Sequence, residues 1–117
     1  MGLRLKLDAE VRRLKLDAEF RELLTDLYGY ETEHLYFQPT EATRMKYDAI
    51  VYKRATFGVQ YADDQSHFIR DQYEVIAITQ DPDATLPREI QSHFKFCKPG
   101  KQYVADNLYH FPFTIYY

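Results

Sequence analysis

The segment from Gln72 to Ala84, QYEVIAITQDPDA, restricts the fold of this chain more than any other stretch. Tyr73, Val75, Ala77 and Thr79 alternate with Glu74, Ile76, Ile78 and Gln80, so residues that suit a pleated backbone fall on both faces. A strand apolar on both sides is expected to be covered on both sides. Asp81-Pro82-Asp83 ends it, because Pro82 has no N–H for a ladder and aspartates bond their own backbone in turns. Helical sequence lies before and after this strand. The expected class is therefore α+β, with one mainly antiparallel β-sheet packed against a long N-terminal helix and a short second helix.

A length of 117 residues suits one core rather than two. The division expected within it is an N-terminal helix over residues 1–28, with a possible extension at 1–12, followed by an α+β domain over 29–117. The formal charge is −3, and no cluster of Lys and Arg stands out of the kind that grips phosphates, so a wrapped nucleic acid is not expected. No apolar run is long enough to span a bilayer, and the first residues alternate charge with leucine instead of forming a signal peptide's apolar block, so the expected place of synthesis is the cytoplasm. The 11 Tyr and 8 Phe have two readings: a surface partly buried against partners, or a tyrosine-rich sheet.

From Leu3 to Tyr28 the chain is rich in Leu, Arg, Lys, Glu and Ala and has no Gly or Pro, which predicts a helix stopped at Gly29. Within it RLKLDAE occurs twice, at 4–10 and 13–19, an offset of nine residues. Nine residues are about two and a half helical turns, so the two copies point to opposite sides. Leu16, Phe20, Leu23, Leu24 and Leu27 form a stripe expected to pack on the sheet. Leu3, Leu7, Val11, Leu14 and Ala18 form a second stripe with nothing assigned to cover it. It is read either as a contact with a neighbouring subunit or as the solvated end of a duplicated helix.

Beyond Gly29, Leu35-Tyr36-Phe37-Gln38-Pro39 predicts a short strand closed by proline, and Ala49-Ile50-Val51-Tyr52 a second strand with a charged exit at Lys53-Arg54. Gly58 is a candidate bend. The polar stretch from Gln60 to His67, with Asp63 and Asp64 at its centre, predicts a hairpin loop returning through Phe68, Ile69 and Arg70. Thr85 is placed to cap a helix with Pro87 in its first turn and Leu86, Ile90 and Phe94 on one face, stopped at Pro99-Gly100. Two strands follow, Gln102 to Ala105 and Leu108 to Tyr117, around an Asp106-Asn107 corner. Pro112 marks the last as an edge or a bulged strand.

Few residues are arranged for catalysis. His93 and Cys97 are one turn apart if the second helix reaches that far, but no orienting acid accompanies them. Asp81 and Asp83 have the spacing that opens a calcium loop, yet Leu86 and Ser92 occupy the positions that need Gly and Glu. The four His residues are scattered and the four Gly residues form no phosphate-binding fingerprint, so no enzyme activity, cofactor or metal is expected.

Several blocks occurring in order resemble a family of small proteins from the structural-gene blocks of tailed bacteriophages. They are Leu35 to Pro39, Met45 to Arg54, Tyr61-Ala62-Asp63, Tyr73 to Pro87 and Tyr103 to Leu108 with the aromatic end, and the match runs from about Leu35 to Tyr117. The layout is similar to that of phage tail terminator, or tail completion, proteins. That resemblance implies a virion structural protein assembled in the host cytoplasm: a hexameric ring that caps the tail tube, halts its growth and joins the tail to the neck or head-completion protein. It implies that DNA passes through the ring without being specifically bound. The doubled RLKLDAE segment departs from the family pattern. Leu3, Leu7, Val11, Leu14, Asp63 and Asp64 are the expected subunit or partner contacts. Another neck component, such as a head-closure or connector protein, and a monomeric binding module are the other readings.

Overall fold

The computed structural model describes residues 2–30, 34–62 and 67–117, with side chains for 7–30, 34–55 and 70–117. The chain is α+β. In order it forms α1 (Gly2–Tyr28), β1 (Leu35–Phe37), β2 (Ala49–Ala62), β3 (His67–Thr79), α2 (Leu86–His93), β4 (Cys97–Pro99), β5 (Tyr103–Ala105) and β6 (Leu108–Tyr116). The strands make one six-stranded sheet in the order β1-β2-β3-β6-β4, with β5 also paired to β6. Among the described residues only β1 and β2 run parallel, and the other pairings are antiparallel.

Both helices lie on the same face of this sheet. Leu16, Phe20, Leu23 and Leu24 from α1 and Leu86 and Ile90 from α2 close over Ile50, Tyr52, Tyr73, Val75, Ala77, Phe113 and Ile115. These strand residues are every second one, as a pleated backbone requires. Phe20 sits at the centre, its ring 5.1 Å from that of Tyr52 and 5.3 Å from that of Phe94. Gly29 ends α1 with φ 73° and donates its N–H to the Thr25 carbonyl, 2.8 Å away.

The central-strand expectation holds for β3, but among the described residues no second layer covers its other face. Glu74 is exposed and Ile76 half-buried, and only Ile78 near the end of the strand is enclosed. The helices that sequence places before and after β3 both return to one side.

Four local expectations are corrected. The second helix ends at His93, and Pro99-Gly100 closes β4 instead. Thr85 precedes that helix in αR conformation with no side-chain capping bond, although its carbonyl accepts the Glu89 N–H at 3.0 Å. β2 runs past Lys53-Arg54 to Ala62, its register shifting on either side of Thr56, the second shift spanning Gly58. Finally, β6 is neither an edge nor a bulged strand: it lies between β3 on one side and β4 and β5 on the other. Pro112 is tolerated there because a residue's N–H and C=O point to the same side of a strand. Its carbonyl accepts from Gly100 at 2.8 Å, so the missing N–H also faces outwards, where the chain passes from β4 to β5.

Candidate functional site

The two stripes of α1 meet opposite fates. Equivalent residues of the two RLKLDAE copies differ most clearly at Leu7, 58% exposed, and Leu16, 0% exposed. Ala9 is likewise buried while Ala18 is exposed. Val11 and Leu14 are 51% and 54% exposed, so three apolar side chains stand outward on one helix face. Leu3 belongs to α1, but its side chain lies outside the described residues.

Polar tethers, absent from the sequence reading, hold the first half of α1 against the sheet. Arg12 donates from Nε and Nη2 to the carboxylate of Asp71 at 3.2 and 3.0 Å, and Asp71 is fully buried. Arg13 lies over the Phe37 ring, 4.5 Å from its centroid, and donates to Glu10 at 2.6 Å. Tyr52 donates its hydroxyl to Asp17 at 2.5 Å, and Arg54 reaches the Ala9 carbonyl at 3.4 Å. A signal for this existed. Extending the stripe of Leu16 and Phe20 backwards by three or four residues lands on Arg12 and Arg13, then on Ala9.

The second candidate is the arm formed by β2 and β3. The β3–β6 ladder starts at Gln72, and β1 reaches only as far as Tyr52 on β2. Pairing between β2 and β3 nevertheless continues through Val59–Arg70 to Ala62–His67. Among the described residues no third strand flanks that stretch, so a two-stranded ribbon extends past the body of the sheet. Asp63 and Asp64, expected at its tip, lie outside the described residues.

On the open face of the sheet, Val51, Ile76 and Pro112 stand in one row across three strands, beside an ion pair between Lys53 and Glu74 at 3.1 Å. A shallow groove of about 620 Å³ lies over Val51 and Ile76, rimmed by Gln38, Pro39, Lys53 and Glu74.

A separate pocket of about 470 Å³ lies where α1 ends, between Tyr28, Tyr47, Asp48 and the Asp81 turn. Its buried carboxylate, Asp48, accepts from the Tyr28 hydroxyl at 2.6 Å and the Gln80 N–H at 2.8 Å. Burial, together with that bond to Asp48, raises the Tyr28 phenol above its usual range. Tyr28 stacks on Tyr30 and Tyr30 on His34, whose Nδ1 lies 2.9 Å from the Asp48 carbonyl oxygen. These bonds join the end of α1 to the start of β2. Asp81 makes its own turn: its carboxylate accepts the Asp83 N–H at 2.9 Å, and its carbonyl accepts the Thr79 hydroxyl at 2.8 Å.

Cys97 and His93 are not brought into a nucleophile pair, because the helix stops at His93 and Cys97 is in a strand. His93 Nε2 lies 2.8 Å from a carboxylate oxygen of Glu19. Burial pushes the Cys97 thiol up to about 11, which disfavours the thiolate at neutral pH. Among the described residues no three His, Cys, Asp or Glu side chains are placed to hold a metal ion, and no helix is long and apolar enough to cross a membrane. No family model, curated protein or solved structure matches this chain.

Proposed function

We propose that this chain is a structural protein of a tailed bacteriophage: a tail terminator that acts by binding, forming a hexameric ring on the tail tube and joining it to the neck or head-completion protein. The order of the sequence blocks from Leu35 onward supports the family. The observation that carries the binding role is the β2–β3 arm. A two-stranded ribbon on its own is marginally stable in water, and its outer edges carry backbone groups that can pair with another chain. An arm of this kind supports contacts between subunits or with a tube. A chain with net charge −3 suits a lumen that DNA crosses without being held.

Mass measurement and negative-stain imaging of the purified protein, alone and with tail tubes, test the reading. Six-subunit rings seated on tube ends are expected. A protein that stays monomeric at micromolar concentration and leaves tube ends bare would count decisively against it.

A further inference from the structure

The geometry points to a second contact, independent of any ring: α1 pairs antiparallel with α1 of a second copy of this chain through Leu7, Val11 and Leu14. Three observations carry it. Leu7, Val11, Leu14 and Ala18 are spaced four, three and four residues apart, the spacing of a coiled-coil seam, and all four are exposed. The helix is already held in place by the sheet, so pairing does not have to nucleate it.

Packing and charge select the antiparallel arrangement. A two-fold axis between Val11 and Leu14 sets Val11 against Leu14 of the partner subunit and Leu7 against Ala18 of the partner subunit, large against small. A parallel pair would instead align Ala18 with itself and leave a gap. On one flank of the seam stand Asp8 and Lys15, both exposed. The same axis brings Asp8 to Lys15 of the partner subunit, twice over, as a self-complementary contact requires. The other flank would juxtapose Glu10 and Asp17, but each is neutralised within its own subunit. Glu10 is bound by Arg13 at 2.6 Å, and Asp17 by Arg21 at 2.7 Å and the Tyr52 hydroxyl.

An isologous contact closes on itself, so it yields dimers of free subunits or joins two larger assemblies. Sedimentation of the full chain over a concentration series tests it. The expected species has twice the 14.0 kDa subunit mass, or an even number of subunits. Leu14→Glu, at an exposed position, is expected to leave the circular-dichroism spectrum unchanged and to abolish the pairing. Asp8→Lys or Lys15→Asp alone is expected to weaken it by about five- to tenfold, from two repelling pairs. Combining the two exchanges restores it. In a parallel pair Lys15→Asp would face Glu10, and the double variant would not recover.

A wild-type protein that is monomeric throughout, an assembly that Leu14→Glu leaves intact, or a double variant no tighter than the single ones would each overturn the inference. A six-subunit ring unaffected by Leu14→Glu would overturn it while leaving the terminator reading standing.

Discussion

The guanidinium of Arg12 meets the fully buried carboxylate of Asp71 through two hydrogen bonds of 3.2 and 3.0 Å, across 59 residues of sequence. Around them the Asp71 and Tyr117 backbones exchange two 3.0 Å hydrogen bonds, so the anchor of α1 sits where β3 meets Tyr117, just after β6. Removing one partner of such a pair strands a charge in the interior. Arg12→Ala is expected to cost about 2–4 kcal/mol, and Arg12→Met with Asp71→Leu less than the sum of the two single changes. Urea denaturation of the wild type, Arg12→Met, Asp71→Leu and the double variant gives the coupling directly. Additive losses would mean that the pair does not act as a unit.

The duplicated segment provides an internal control. Leu7 and Leu16 occupy the same place in identical heptapeptides, yet Leu16→Ala is expected to destabilise by about 2–5 kcal/mol and Leu7→Ala by no more than about 0.5 kcal/mol in the monomer. Comparison of their denaturation midpoints checks this, and equal effects would contradict the assignment of faces.

Alkaline pH should loosen the fold. Burial raises the Cys97 thiol from about 9 to about 11, and the Tyr28, Tyr52 and Tyr117 phenols also rise above their usual range, chiefly by burial. Groups held neutral in the folded state give their full stabilisation below the unfolded pKa and lose it as pH climbs through the folded one. The urea midpoint is therefore expected to fall across pH 9 to 11, and Cys97→Ala to flatten that fall. Thiol alkylation at pH 7.5 should be slow in the native protein and fast in denaturant; equal rates would show that Cys97 is not protected.

Turn chemistry at the β5–β6 corner gives another check. Asp106 and Asn107 both have positive φ, 54° and 63°, the signature of a type I′ hairpin turn. Asn107→Gly is expected to stabilise by up to about 1 kcal/mol, while Asn107→Val costs about 1–2 kcal/mol. Nearby, a Cβ at Gly100 would approach Pro112 Cγ to 3.1 Å, so Gly100→Ala is expected to cost about 1 kcal/mol. Thermal melts of the three variants distinguish these signs.

Features that depend on local periodicity were legible in the chain before any fold was known. The nine-residue offset assigned opposite faces to the two RLKLDAE copies, and strand alternation marked Tyr73 to Gln80 as a central strand, although with both faces covered. Gly29, the Asp81-Pro82-Asp83 turn and the Asp106-Asn107 corner were readable because their backbone conformations favour few residue types. Leu7, Val11 and Leu14 were legible as an unpartnered stripe for the same reason.

Features that depend on partners distant in sequence emerged with the fold. That both helices share one face, leaving Ile76 half-buried on the other, follows from how the chain crosses over the sheet. That Pro112 sits in an interior strand follows from which side its missing N–H faces. The Arg12–Asp71 pair is the plainest case: an arginine in a charged helix carries no local mark of the carboxylate it will meet. Burial of that carboxylate exists only once β3, β6 and α1 have come together.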